Sequence, residues 1–386
     1  MTKRDGPRIA VVGAGLGGCI AAMFLLRFGY DVRVYEQAGR LEKIGAGIGL
    51  TPNATRICNA LGLLTKMKGV GSTPRERYSR DGTTGKLTLE VPIDEYERKY
   101  DGPHIVMRRG DLHDVFVGEI PPERLHVGKR LLDLTEAGAA MRLSFADGTT
   151  AEADIVIGAD GVNSRVRQTA VDDQPSSFSG EVAHRATYPR ALLGDMQVAE
   201  MTKWFVGGDK YVMVFFLDPQ HQEVYFVTGY PQGRWTEPTY APVETGKEEL
   251  LACFADFCED VRRILSAAPE TTVWPICERD PSPGWSRGSV VLLGDACHAM
   301  RPHMGQGAAM AIEDAAVLAR CVERYGGGSP AESFALYERL RFERTSRILL
   351  GSRGNTWMRD GMDVDWLYGY DAVNGPLSPE PSKAAP

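Results

Sequence analysis

The sequence predicts an α/β fold: a parallel-sheet domain, interrupted by a mostly antiparallel β segment and closed by a helical region. Three observations predict it. A β-branched run at residues 8–12 leads into closely spaced glycines, a helical stretch to about Phe28 and a second apolar run at residues 32–36, together a βαβ unit. Between residues 177 and 283 the texture changes to aromatic and aliphatic runs parted by turn residues. After Gly328 the pattern is helical.

The first run reads as a buried parallel strand, because near-continuous aliphatic sequence suits a sheet covered on both faces. From Thr51-Pro52-Asn53 another helix begins, with proline in its first turn. Residues 154–157 give a third strand, stopped by Gly158-Ala159-Asp160-Gly161. Residues 211–217 and 224–228 flank the turn-rich segment 218–222 and read as a hairpin. A strand at 290–293 rejoins the parallel sheet, breaks at Gly294-Asp295, winds through Pro302, Gly305 and Gly307, and continues as an amphipathic helix. The expected division is 1–176 and 285–345 for the two parts of the parallel-sheet domain, 177–284 for the inserted β domain, and 346–386 for a C-terminal helix and tail. Residues 374–386, rich in Pro, Ser and Ala, are expected to be disordered.

Composition bounds the function. The 386 residues are 43% hydrophobic and 25% charged with net charge -7, and no basic run appears, which argues against a nucleic-acid partner. The seven cysteines (Cys19, Cys58, Cys253, Cys258, Cys277, Cys297, Cys321) are odd in number and lack zinc-like spacing. Reduced thiols in a cytoplasmic protein, and no metal site, are the expectation. Lys3 and Arg4 before the apolar stretch 9–26 imitate a secretory leader, but Gly13, Gly15, Gly17 and Gly18 would weaken a membrane helix. No stretch is long and apolar enough to span a bilayer, so no membrane partner is expected.

Those glycines have another use. In Gly13-Ala14-Gly15-Leu16-Gly17-Gly18 the pattern G-x-G-x-x-G lies between strand and helix. Gly13 permits the tight turn, Gly15 lets a pyrophosphate approach the backbone, and Gly18 lets helix and strand pack closely. The helix that opens at Leu16 offers free N–H groups to phosphate. Glu36, with Gln37 beside it, ends the next strand about twenty residues on, where a carboxylate accepts hydrogen bonds from a ribose. This is a Rossmann-like dinucleotide site for NAD or FAD. Two further turns decide between them: Asp160-Gly161, opening the stretch 160–167, and Gly294-Asp295. A dehydrogenase has no evident use for two more acidic turns after strands. An extended FAD has one, since Asp295 is placed to bind the hydroxyls of its ribityl chain.

Taken together, these residues resemble the class A flavin-dependent aromatic hydroxylases of the para-hydroxybenzoate hydroxylase type, whose glycine, DG and GD fingerprints occur in this order. The resemblance spans nearly the whole chain. It is strongest to the branch that contains 6-hydroxynicotinate 3-monooxygenase and salicylate hydroxylase, through residues 108–113 and 366–371 as well. It implies FAD as cofactor, NADH or NADPH as reductant, and O2 with a small aromatic acid as substrates, in a monomer or a homodimer. Reduced flavin would carry oxygen as a C4a-hydroperoxide, which attacks a hydroxybenzoate or hydroxypyridine carboxylate, with loss of CO2 where the hydroxyl enters at the carboxyl-bearing carbon. A flavin-dependent NAD(P)H oxidase or dehydrogenase without oxygen insertion is the alternative from another class; 6-hydroxynicotinate 3-monooxygenase itself is the narrower one.

The site expectations follow. Arg109, Leu131 and the DG residue Asp160 join Gly13, Gly15, Leu16, Gly18, Glu36, Gln37 and Asp295 as cofactor contacts implied by the resemblance. Gly47 and Ile48, in the glycine-rich loop 45–49, are expected along the flavin ring. The helix starting near Gly305-Gln306-Gly307 should aim its N-terminus at the flavin's pyrimidine edge, where the reduced ring is anionic. Pro302 stiffens that approach, and the glycines allow backbone contact with the ring. Alternation puts Tyr211, Met213, Phe215 and Leu217 on one face of the hairpin. Tyr211 and Phe215 are expected at the substrate, with Met213 and Leu217 as core. His303 either orients substrate and relays a proton or bonds to the turn backbone; His298 and the pair His184-Arg185 read as structural. Resemblance to the 6-hydroxynicotinate enzymes of that branch implies histidines where this chain has Gly49 and Tyr211 and a cysteine near Met201, so these three positions mark a different substrate shell.

Overall fold

The computed structural model describes residues 6–41, 46–208, 210–237, 241–354 and 364–378. Gly45, Lys3, Arg4 and most of the expected tail, 379–386, lie outside them.

A six-stranded sheet forms the base of the molecule. Its parallel strands run Val290–Leu292, Ile155–Gly158, Arg8–Val12, Asp31–Tyr35 and Leu125–His126, with Ser286–Arg287 antiparallel at one edge. The four residues Ile9 to Val12 are all buried, as a strand covered on both faces requires. Helix Leu16–Arg27 follows the first strand and lies against the long helix Gly307–Arg324. The glycine turn, the DG turn and the GD turn leave the carboxyl ends of three neighbouring strands. In open α/β sheets this is where ligands bind.

An eight-stranded sheet stands over that edge. Its order is Val243–Thr245, Thr271–Glu278, Ser177–Pro189, Glu223–Pro231, Lys210–Phe216, Met201–Val206, Glu76–Asp81 and Leu87–Pro92. The hairpin pairs Lys210–Phe216 with Glu223–Pro231 in antiparallel register. This sheet is wider than the segment 177–284, because Glu76–Asp81 joins it as a parallel neighbour of Met201–Val206 and brings Leu87–Pro92 along. Sequence gave no local sign of that pairing, which links strands more than a hundred residues apart.

Both faces of the hairpin strands are apolar for different reasons. Val212, Val214, Phe216, Val224 and Phe226 pack beneath helices Lys247–Cys253 and Glu259–Ala267, through Leu250, Phe254, Val261, Ile264 and Leu265. The opposite face, with Tyr211, Met213 and Phe215, looks onto the parallel-sheet domain. The helix Pro330–Arg353 runs unbroken through position 345, where sequence reading placed a boundary; its Arg341 and Arg344 are anchored on Glu313 and Asp314 of the long helix. Among the described residues no helix is long and apolar enough to cross a membrane.

Candidate active site

A cavity of about 400 Å³ runs from the glycine turn to the face of the large sheet. At one end lie Gly15, Leu16, Gly18, Arg109 and Gly161; Gly294, Asp295, Pro302, Gly305 and Gly307 follow along its wall. At the other end lie Gly49, Met201, Tyr211, Phe215 and His303, so the expected flavin and substrate residues share one space.

The glycines there answer to different demands. Gly13 has φ +102, and a Cβ on it would strike the backbone of Ala159. A Cβ on Gly18 would strike the carbonyl of Gly13, so this position holds helix against strand. Gly15 differs: its Cβ would meet nothing nearer than the Ala159 carbonyl at 3.9 Å, and the space beside it belongs to the cavity. That open cradle, at the start of helix Leu16–Arg27, fits a pyrophosphate lying on the backbone.

Carboxylates complete the cradle. Glu36 accepts hydrogen bonds from the amides of Ala14 and Ala38, both at 2.9 Å, which fixes it beside the turn. Asp295 reaches into the open cavity while protein surrounds it; burial pushes its carboxyl above the ordinary range, opposed by His298 and Arg109. Asp314 stands behind the GD turn, accepting from the Gly294 amide at 3.1 Å, from His298 Nε2 at 2.6 Å and from Arg341 Nε at 2.7 Å. Burial opposes its ionisation, but His298 and Arg341 prevail and hold it at about 2.

Other expected contacts sit elsewhere. Asp160 turns its carboxylate onto Ser164 Oγ and the amides of Arg165 and Val166, at 2.5 to 3.0 Å, and so ties the DG turn; its neighbour Gly161 lines the cavity. Gly13, Glu36, Gln37 and Leu131 do not line it; Leu131 is buried in the core. Gly47 is required by Tyr225, whose ring a Cβ there would strike. A Cβ on Gly49 would meet His104 Nε2 and Val106 at 3.4 Å.

At the sheet end, registers bring Tyr211, Met213 and Phe215 opposite Phe205, Lys203 and Met201 on one side and Gly229, Val227 and Tyr225 on the other. Met213, read as core, lines the cavity, whereas Leu217 is core. Alternation also separates His184 from Arg185. His184 bonds to Thr228 on the far face, and burial lowers it to about 4; Arg185 lies over the Trp274 ring and lines the cavity. His303 crosses the Tyr211 ring edge-on, with centroids 5.6 Å apart. Its Nδ1 meets the Ser352 carbonyl at 2.8 Å, and its Nε2 lies 2.8 Å from Glu181 Oε2. Burial disfavours ionised Glu181, but His303 and Arg301 outweigh it and hold its pKa below the ordinary carboxylate value.

Sequence reading missed Arg77, His104, Lys203 and Tyr225, all on the cavity wall. One signal was available: a lysine within the mostly apolar strand Met201–Val206 is rarely buried without a task.

Residues 7–349 match the FAD binding domain family. The 6-hydroxynicotinate 3-monooxygenase of Pseudomonas fluorescens is 43% identical over 382 residues, spanning 98% of this chain and 99% of that one. The chain belongs to the FAD-dependent aromatic hydroxylases. The 3-amino-4-hydroxybenzoate 2-monooxygenase of Streptomyces cremeus is 36% identical to this hydroxylase over 90% of its chain and 86% of the relative. Among solved structures, Klebsiella pneumoniae HpxO complexed with FAD and uric acid superposes with TM-score 0.80 at 25% identity, covering 94% of the hydroxylase and 92% of that chain. The hydroxylase uses FAD with NAD(P)H as reductant, and the open cradle at Gly15 and the exposed carboxylate of Asp295 accommodate that cofactor.

Proposed function

We propose that this enzyme uses O2 to hydroxylate an electron-rich aromatic acid, a hydroxybenzoate or hydroxypyridine carboxylate. One observation carries the reading: the cavity is continuous from the dinucleotide turn to an aromatic-lined sheet face that also presents Arg77, Arg185 and Lys203. Aromatic and apolar walls suit a ring, and the two guanidiniums suit its carboxylate.

Bound FAD supplies the redox chemistry, taking electrons from NAD(P)H and handing them to O2. The protein's part is placement. Gly15 and the helix opening at Leu16 would receive the pyrophosphate, and Asp295 would accept from ribityl hydroxyls. Backbone N–H groups at Gly307 and Ala308, the first turn of the long helix, face the cavity and would favour negative charge on a flavin ring held there. Met201, Met213, Phe215 and Tyr225 keep water from the substrate end. His303, held between Glu181 and Ser352, fixes the Tyr211 ring by an edge-to-face contact and so would help to orient a bound substrate.

The seven cysteines carry no disulfide, which supports action in the cytoplasm. Gly49, Met201 and Tyr211, where the resemblance to the 6-hydroxynicotinate enzymes implies other residues, all line the cavity and support a different substrate. The test is to supply the FAD-loaded enzyme with NADH and, in turn, 2-, 3- and 4-hydroxybenzoate and 6-hydroxynicotinate, following NADH oxidation and product mass. Stimulated oxidation with a product one oxygen heavier, or with carboxyl replaced by hydroxyl, supports the reading. No oxygenated product from any such acid counts against it.

A further inference from the structure

An aromatic hydroxyl directs electrons into its ring far better as an oxyanion, so attack on the ring is helped by a group that takes its proton. Four titratable side chains of the cavity wall differ in their fitness for this. The ring nitrogens of His303 lie 2.8 Å from the Ser352 carbonyl and 2.8 Å from Glu181 Oε2, so the ring is committed to contacts within the protein. His104 is buried, and burial followed by the charge of Arg77 lowers it to about 3, too weak a base. Burial pushes the Tyr211 hydroxyl up, away from the neutral range.

Lys203 is the fourth. It is 1% exposed, yet it lines the cavity, and its Nζ lies 3.9 Å from the centroid of the Tyr211 ring and 4.8 Å from that of Phe205. Charged and titratable groups facing the same space are Arg77 from the neighbouring strand, Arg185 from Ser177–Pro189, His104 before the strand Ile105–Arg108, Tyr211 and Tyr225 from the hairpin, and Tyr368; Glu181 acts on Lys203 as well. Burial lowers the amine to about 7, Arg77 adds to that, and Glu181 opposes it. An amine so placed is part neutral at physiological pH, and a neutral amine can take a proton.

We propose that Lys203 accepts the proton of the substrate's ring hydroxyl. In this step the O–H bond breaks, its electron pair stays on oxygen, and an N–H bond forms. Neutral amine and phenol become an ammonium and a phenolate, with no other reactant. Arg77, bonded to Tyr368, and Arg185, over the Trp274 ring, line the same wall as guanidiniums that suit the carboxylate, so the two ends of the ring meet different partners. The inference rests on the reading of the substrate as a hydroxylated aromatic acid.

Two measurements test it. The first needs no substrate: FAD-loaded wild-type enzyme is treated with cyanate, which carbamoylates neutral amines only, across pH 5–10, and the Lys203 peptide is weighed. Half-maximal labelling near pH 7 is expected; labelling only above about pH 9, as for exposed lysines, would overturn the proposal. The second uses whichever of the four acids above is hydroxylated. Lys203→Arg keeps the positive charge but cannot release a proton, so kcat should fall at least about 100-fold with KM changed only a few-fold. Wild-type kcat should decline below about pH 7, and Glu181→Gln should move that decline to lower pH. Lys203→Arg retaining wild-type kcat, or a decline that Glu181→Gln leaves in place, would also overturn it. If no acid is hydroxylated, the substrate reading fails, while the cyanate result still decides whether Lys203 can be the acceptor.

Discussion

His303 Nε2 lies 2.8 Å from Glu181 Oε2, so the loop that carries Pro302 and Gly305 is joined to the first long strand of the large sheet. Arg301 strengthens the same junction, pairing with Glu181 and, at 2.9 Å, with Glu278 of the neighbouring strand. Removing either partner of such a buried pair costs most of what removing both would cost. Glu181→Ala and His303→Ala are therefore expected to be non-additive, with a coupling on the order of 1–3 kcal/mol in a double-mutant cycle of unfolding. Additive effects would separate the two residues.

Gly15 and Gly18 belong to one motif but should fail differently. Alanine at Gly18 runs into the Gly13 carbonyl and should lower thermal stability even without cofactor. Alanine at Gly15 enters the cavity rather than the protein, so the fold should melt normally while FAD affinity falls about tenfold or more. Melting temperature and flavin content of the two purified variants check this.

Asp295→Ala removes the carboxylate that projects into the cavity from the GD turn. Flavin should dissociate on gel filtration, and the fold should persist, since Asp314 still holds the Gly294 amide of that turn. A variant that emerges with full yellow flavin would remove Asp295 from its assigned role.

Asp314 gives a pH prediction with a definite sign. Its folded pKa is depressed from 3.8 to about 2, so its contribution is complete above the ordinary value and fades as pH falls from about 4 towards 2. Asp314→Asn leaves Arg341 and His298 facing a neutral group and should cost on the order of 3 kcal/mol near neutrality. Its disadvantage should shrink with acid across that window. Chemical unfolding at pH 2.5, 4 and 7 reads the difference; a constant deficit would contradict the assignment.

Tyr211→Phe keeps the ring that meets His303 and Lys203 but loses the hydroxyl. Flavin content should be unchanged and the apparent KM for the aromatic acid altered several-fold. Identical kinetics would take the hydroxyl out of substrate recognition.

What was legible in the sequence was what backbone geometry dictates. Gly13, Gly18 and Gly294 occupy positions where a side chain collides or where φ is positive, and such demands leave a residue-type signature at fixed spacing. The hairpin's aromatic face was legible for a related reason, since alternation follows from the pleat. The cation cluster was not. Arg77 and Lys203 come together only because Glu76–Asp81 joins the far side of Met201–Val206, with Lys203 opposite Ser79, and no local pattern announces that pairing. Nor could spacing reveal that His303 has both nitrogens engaged, because Glu181 and Ser352 reach it from distant segments. Asp160 shows the converse: the motif was visible, but its carboxylate bonds within its own turn rather than into the cavity.

The most direct test of oxygen insertion is mass analysis of the product formed by the FAD-loaded enzyme with NADH and a hydroxylated aromatic acid under oxygen-18 gas. One labelled oxygen in the product for each NADH consumed is the expected result. NADH consumption that yields labelled hydrogen peroxide and an unchanged acid, across the hydroxybenzoates and hydroxypyridine carboxylates alike, would contradict it.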